Sequence, residues 1–306
     1  MIYVLGNINN DVSRKKKEGE MPDDESIIGI GGRGATQAVA IARLKGESKR
    51  PVVKLIGHVG KDKAGERLIK KLNECGVDTE FVRQVNRATG TVTVSATPGD
   101  DGSVLFDGLN GGISKSDVDE ALEHATHEDM LLCQLEPPMY IIEYALKKAR
   151  ELGMTTVLNP APAKSLPDYM YYYVDVIVAG ASETLVLTGI NPQDKESWHA
   201  AAMKFHNLGV PNVVMTLGRR GVVLSDDAHI YAHLPARKAI IVDRSGSVDA
   251  FVGALALTYP HVGMYSFREA CAFANIASSI AATRRGVADS IPTAEEVYAQ
   301  YIHDLA

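Results

Sequence analysis

Val242-Asp243-Arg244-Ser245-Gly246-Ser247-Val248-Asp249-Ala250-Phe251-Val252-Gly253 sets a short apolar strand before a turn of small residues, then an Asp at the opening of an apolar helix. That layout suits phosphoryl transfer. Backbone N–H groups at a helix N-terminus hold developing negative charge. A carboxylate at the same place can take a proton from an attacking hydroxyl. Val248 is the discordant residue, because backbone that passes close to a phosphate calls for glycine.

A second glycine-rich run, Gly29-Ile30-Gly31-Gly32-Arg33-Gly34, matches the pattern G-x-G-x-x-G. A dinucleotide fingerprint belongs to the first βα turn, yet here the first strand ends in Gly6-Asn7-Ile8-Asn9-Asn10-Asp11. No acidic residue closes a suitable second strand. A nicotinamide site is therefore disfavoured, and the glycines are read as backbone brought close to a hydroxylated ligand. The chain has no Walker A lysine loop and no zinc-protease histidine pair. His58, His199 and His206 lie on separate elements and read as surface or core imidazoles.

These residues need a scaffold, and the composition supplies one. The chain has 306 residues, enough for a sizeable core, with 45% apolar and 23% charged residues as in globular proteins. A net charge of −6 gives no hint of a nucleic-acid-binding face. Cys75, Cys133 and Cys271 are far apart and in no metal-ligand spacing, so they read as reduced core thiols in a cytoplasmic protein. Met1–Gly6 leads straight into a strand, which predicts no signal peptide. The apolar run from Val174 to Leu187 is broken by Asp175 and Glu183, which predicts no membrane span.

Short β-branched runs alternate with helical patterns. Ile2–Leu5, Val52–Ile56, Met130–Leu135, Thr155–Leu158, Val174–Val178 and Val213–Leu217 read as buried strands. Ala35–Leu44, Ala64–Cys75, Met139–Leu152, Trp198–Leu208, Val248–Leu257 and Phe267–Thr283 read as helices. The alternation predicts an α/β fold with a mostly parallel sheet covered on both faces, its ligands beyond the carboxyl ends of the strands. Thr89–Ala96 and Val104–Phe106 flank a Pro-Gly-Asp-Asp-Gly turn and read as a β-hairpin. The charged segment Ser13–Ser26 reads as a solvated loop, or as a flap whose lysines attract phosphate. Tyr171-Tyr172-Tyr173 reads as a packed strand edge and Trp198 as a packing residue.

Together the segments resemble the ribokinase (PfkB-type) family of carbohydrate kinases, over nearly the whole chain and in the family's order. The carrying motifs are Gly6–Asp11, Gly31-Gly32-Arg33-Gly34-Ala35-Thr36-Gln37-Ala38-Val39-Ala40 and Gln134-Leu135-Glu136. Further along come Leu158-Asn159-Pro160-Ala161-Pro162-Ala163, Thr216-Leu217-Gly218-Arg219-Arg220-Gly221 and Thr283-Arg284-Arg285-Gly286 with Ser290-Ile291-Pro292. The resemblance implies a three-layer α/β/α sandwich, one domain over residues 1–306, with a small β lid from segments 13–28 and 89–107. It implies ATP-dependent phosphorylation of a small sugar, ribose or a close relative, with Mg²⁺ and K⁺, in a cytoplasmic homodimer joined through the lid.

The same resemblance implies roles for individual residues. Asp249 would be the base, while the N–H groups of Gly246, Ser247 and Val248 face the γ-phosphate. Asn9, Asp11, Gly31, Gly32, Thr36 and Glu136 would hold the sugar. Gly180, Glu183, Thr216, Gly218, Gly221 and Asn275 would lie on the nucleotide side, Glu183 acting on Mg²⁺ through water. Asp243, Ser245 and Ser290 would surround the monovalent cation.

Four departures fall on these positions. Thr36 replaces the Asn and Arg33 the Lys of the family's GGKGANQ signature. Gly180 replaces the Asn of NxxE, and Val248 the Gly of GAGD. The flap between Asp11 and Gly31 is also short for the family. Val248 disfavours φ > 0 and would set the phosphate turn wrongly. The alternative is therefore a degenerate kinase that binds sugar, nucleotide or a partner protein without efficient turnover.

Overall fold

The computed structural model describes residues 1–14, 27–95, 103–106, 112–259 and 265–305. In chain order the elements are β1 (Ile2–Leu5), β2 (Asn9–Arg14), β3 (Ile27–Gly31), α1 (Arg33–Leu44), β4 (Val53–Gly60), α2 (Lys63–Glu74), β5 (Val82–Val85), β6 (Gly90–Ser95) and β7 (Ser103–Phe106). Then come α3 (Lys115–Ala121), β8 (Met130–Gln134), α4 (Met139–Glu151), β9 (Thr155–Asn159), α5 (Asp168–Tyr171), β10 (Val176–Gly180), α6 (Ala181–Thr188), α7 (Lys195–Asn207) and β11 (Asn212–Thr216). The last are β12 (Val222–Ser225), β13 (Tyr231–Leu234), α8 (Ser247–Thr258), α9 (Phe267–Ala281) and α10 (Ala294–Leu305).

Nine strands form the main sheet in the order β13-β12-β11-β10-β9-β8-β1-β4-β5. From β11 to β5 every pair is parallel, and β12 and β13 add an antiparallel edge. Alternating side chains feed two cores, as strand geometry requires. Ile2 and Val4 pack under α1, α2, α8, α9 and α10 on one face. Tyr3 and Leu5 pack under α3, α4, α5 and α7 on the other, with buried Trp198 and Phe205. Helices on both faces leave the carboxyl ends of β1, β8, β9, β10 and β11 as one rim, and the candidate residues collect there.

The helix starts are written locally. Ser114 with Asp117, Asp194 with Ser197 and Ser266 with Glu269 form reciprocal capping boxes at α3, α7 and α9. Asp62 caps α2 by accepting from the Gly65 N–H at 2.8 Å. Cys133 and Cys271 are buried and all three cysteines are free thiols. His58 is buried against Asp117, and His206 is held by the Val210 carbonyl and Ser225. No helix among the described residues is long and apolar enough to cross a membrane.

A second sheet has the order β3-β2-β6-β7. Its β6–β7 pair is the expected hairpin. Three expectations are corrected by the structure: the apolar run at Val242, read as a strand before the α8 turn, lies in no strand, and the other two concern this second sheet. Asn9–Asp11, read as part of a turn, begins strand β2, which pairs antiparallel with β3 and parallel with β6. Ser13 and Arg14, assigned to the loop, continue that strand. The reason is a neighbouring segment distant in sequence: β6 supplies the hydrogen-bond partners that turn β2 from loop into strand. Residues 15–26, 96–102 and 107 of the expected lid lie outside the described residues.

Candidate active site

Strand pairing brings the first acidic group into place. Asn9 and Asp11 sit two apart on β2 and so point to one face, while Asn10 points away and accepts from Arg67 Nη2 at 2.8 Å. Asn9 pairs in register with Gly31 and Asp11 with Gly29. A Cβ at Gly31 would overlap the Asp11 carboxylate, so the glycine is required for close approach. The next residue, Gly32, is the N-cap of α1. Asn9 Oδ1 is buried, with no hydrogen-bond donor from the protein among the described residues.

The N-terminus of α1 faces Glu136, just beyond the end of β8. The Arg33 N–H donates to Glu136 Oε2 at 2.9 Å, as helix N-termini do for carboxylates. Burial pushes the Glu136 carboxyl up to about 7 against the pull of Arg33, and Asp249 and Asp11 add to the rise. Burial, then the Asp249 charge, pushes Asp11 up to about 6. Arg33 ties Glu136 to Asp249, its backbone N–H donating to the first and its guanidinium lying 3.5 Å from the second.

A raised carboxyl has a definite effect on stability. The stabilisation tied to protonated Glu136 is complete below its unfolded value of 4.5 and is lost as pH rises through about 7. Glu136→Gln keeps an acceptor for the Arg33 N–H and removes the buried charge. Its melting temperature should exceed that of the wild type at pH 8 by on the order of 2–4 °C, with the gap closing towards pH 5. Scanning fluorimetry at both pH values tests this; a variant less stable at pH 8 would contradict it.

Asp249, on the first turn of α8, is 3% exposed. Its Oδ2 accepts from the Thr36 hydroxyl at 2.8 Å and its Oδ1 from Gln37 Nε2 at 2.9 Å. Arg33 Nη1 lies 3.5 Å from the same Oδ1. Burial raises the Asp249 carboxyl, while the Arg33 charge and these donors hold it down. Gln37 spends its other N–H on Asn159 Oδ1 at 3.0 Å and accepts from Gln134 Nε2 at 2.8 Å. Asn159 in turn donates to the Val178 carbonyl at 2.8 Å. This chain of amides fixes the carboxylate from behind.

Gln37, Gln134 and Asn159 were not anticipated as site residues. Their signal was present: an uncharged polar residue in the apolar helix α1, and polar residues closing two apolar strands. Each is at most 1% exposed. Thr36, expected to face the sugar, is fully buried and spends its hydroxyl on Asp249. It positions the carboxylate.

Val248 also differs from expectation. It is the second residue of α8, and His229 is the only non-glycine residue with positive φ among those described. A helical position needs no glycine for its φ, and the valine side chain packs half-buried against the core under α8 and α9. The first N–H groups of α8 remain without intrahelical acceptors, as at any helix start.

Of the nucleotide-side candidates, Gly180, Glu183, Thr216, Gly218 and Gly221 lie at or just beyond the ends of β10 and β11, while Asn275 is on α9 and donates to the Pro235 carbonyl at 3.1 Å. Gly180 pairs in register with Thr216 and is the N-cap of α6. A Cβ at Gly180 would overlap the Glu183 carboxylate, which also accepts from the Ser182 hydroxyl at 3.0 Å. Gly218 and Gly221 shape the tight turn after β11 with φ of 59° and 86°. Gly218, Ser247 and Asn275 line a cavity of about 500 Å³. A larger cavity of about 940 Å³, beside the same segment 236–239, opens towards α10 and includes no residue of the α8 turn. The smaller one therefore abuts the α8 turn.

Among the described residues no group of three or more His, Cys, Asp or Glu could cage a metal. The residues present fit Mg²⁺ only as an ion that keeps its waters and is carried by phosphates, with Glu183 nearby. Asp243 Oδ1 accepts from the Ser245 N–H and hydroxyl at 2.9 and 2.6 Å, and Oδ2 from the Gly286 N–H at 3.1 Å. Ser290 donates to the Val287 carbonyl at 2.7 Å. An oxygen-rich set with one formal charge fits a monovalent cation.

The whole arrangement has counterparts among known proteins. Residues 1–294 match the model of the pfkB family carbohydrate kinases. A ribokinase of Haemophilus influenzae is 33% identical over 302 residues, 96% of both chains. The solved ribokinase of Thermotoga maritima superposes with a TM-score of 0.84 at 28% identity, covering 99% of each chain. That of Arabidopsis thaliana, solved with ribose and ATP, gives 0.85 at 25% identity over 97% of each. The chain belongs to the pfkB family of carbohydrate kinases, with the ribokinase fold.

Proposed function

We propose that this chain transfers the γ-phosphoryl group of ATP to the primary hydroxyl of ribose or a close relative. The observation that carries the reading is the gathering of Glu136 and Asp249 around Arg33, which meets them at 2.9 and 3.5 Å, with Asp11 and the buried Asn9 Oδ1, without a protein donor among the described residues, on the strand facing Gly31. Acceptors gathered in this way suit the hydroxyl donors of a small polyol. Ribokinase relatives of similar length support the same substrate class.

In this reading Asn9, Asp11, Glu136 and the backbone at Gly31 and Gly32 hold the sugar. Asp249 takes the proton of the primary hydroxyl as its oxygen bonds to the γ-phosphorus and the bond to the β-phosphate oxygen breaks, releasing ADP. The N–H groups of Gly246 and Val248 face the transferred group, while the Ser247 N–H, expected to do the same, is held by the Arg244 carbonyl at 3.1 Å. Gly180, Thr216, Gly218, Gly221 and Asn275 border the nucleotide. Glu183 would hold Mg²⁺ through its waters, and Asp243, Ser245 and Ser290 would hold K⁺. Bound Mg²⁺ and K⁺ supply positive charge to the phosphates and to the turn, respectively. The second sheet is the lid over the sugar and the contact of a homodimer.

ADP release from ATP with Mg²⁺ and K⁺, measured across ribose, deoxyribose, fructose and nucleosides, tests the reading. Ribose or deoxyribose should give the highest kcat/KM. Binding of sugar and nucleotide without ADP release would instead place the chain with degenerate kinases.

A further inference from the structure

The 500 Å³ cavity beside α8 is lined by Arg219, Arg237, Lys238 and Arg244, and by no Asp or Glu among the described residues. That is an unusual local balance in a chain of net charge −6. Cations gathered around one cavity raise the local concentration of anions.

Arg244 holds the decisive place among them. Its carbonyl accepts from the Ser247 N–H at 3.1 Å and the Ser247 hydroxyl at 2.7 Å, so it belongs to the turn that opens α8. Its guanidinium reaches the opposite wall, with Nη1 3.9 Å from where a Gly218 Cβ would stand. The neighbouring acid, Asp243, is turned towards Ser245 and Gly286. Arg33, Arg83, Arg150 and Arg284 all meet carboxylates. The exposed Arg244 side chain meets none among the described residues.

We infer that Arg244 binds the terminal phosphates of the nucleoside triphosphate, reaching them from the turn just ahead of Asp249. The inference rests on the kinase reading and deepens it. A guanidinium forks onto two phosphate oxygens, and it keeps its charge at any working pH. Arg33 meets Asp249 itself at 3.5 Å, whereas Arg244 belongs to the turn that opens α8 and lines the cavity beside it.

Calorimetric titration of wild type, Arg244→Ala and Arg244→Lys with ATP, adenosine and inorganic tripolyphosphate tests this without turnover. Arg244→Ala should weaken ATP and tripolyphosphate by about 10- to 100-fold, as expected on losing a hydrogen bond to a charged group. Adenosine affinity and melting temperature should not change, and Arg244→Lys should recover part of the loss. ATP affinity in Arg244→Ala indistinguishable from wild type would overturn the role of Arg244 and leave the kinase reading standing. An equal loss for adenosine would mark a structural role and overturn it too. Wild type that binds no ATP would remove both.

Discussion

Asp249→Asn should abolish sugar-dependent ADP release, with a loss in kcat of at least about 10²–10⁴, the range of a positioned general base. The substitution keeps size and shape. Gln37 can still donate to the amide oxygen, and the Thr36 hydroxyl, which donates at 2.8 Å now, can turn to accept from the new NH₂. Burial raises the Asp249 carboxyl, so removing the charge should leave the melting temperature of the ligand-free protein unchanged or higher. The informative result is therefore lost turnover in a protein that melts normally and still binds sugar by calorimetry. Near-normal turnover would take Asp249 out of the mechanism.

Gly246→Ala should be nearly as damaging for a different reason. Gly246 has an ordinary φ of −90°, so glycine is not needed there for backbone freedom. Space is what requires it. A Cβ would overlap the Ser290 hydroxyl and the Val287 carbonyl, and the carbonyl belongs to backbone that cannot swing aside. The turn must move, and with it the first N–H groups of α8. Losing an aligned donor to developing charge costs about 10²–10³ in rate. We expect kcat to fall by that factor, with sugar affinity retained because Asn9, Asp11 and Glu136 sit on other elements. Adding Ser290→Gly should recover only part, since the Val287 carbonyl remains. Wild-type kcat in Gly246→Ala would show that the α8 turn tolerates displacement.

Pairing the two variants separates proton removal from phosphate placement. A pH profile sharpens the comparison, because Asp11 and Glu136 are pushed up to about 6 and about 7 in the ligand-free protein. Both are ionised above those values, so sugar affinity that relies on them as acceptors should rise with pH through this window.

The layered fold was legible because its signals are local. Short apolar runs mark β1, β8 and β9, and the helical patterns between them fix the alternation that makes a parallel sheet. The capping boxes of α3, α7 and α9 are likewise written within four residues. The short edge elements β5, β12 and β13 were not anticipated. Only β11 borders β12 on its inner side and β13 is the outermost strand, so their pairing depends on the edge that β11 offers and not on a local pattern.

The sequence by itself determined the family signatures, the acid at the start of α8 and the glycines that let backbones approach. Only the tertiary structure decided what the deviating residues do. Thr36 looked like a weakened sugar contact and is a hydrogen-bond partner of Asp249 from 213 positions away in the chain. Val248 looked like a strained turn residue and is an ordinary helical one. Arg244 carried no signal until the cavity around it could be seen. A motif records which residue type stands at a position. Whether its side chain meets substrate, carboxylate or core depends on elements that reach it through the fold, and no local pattern encodes that meeting.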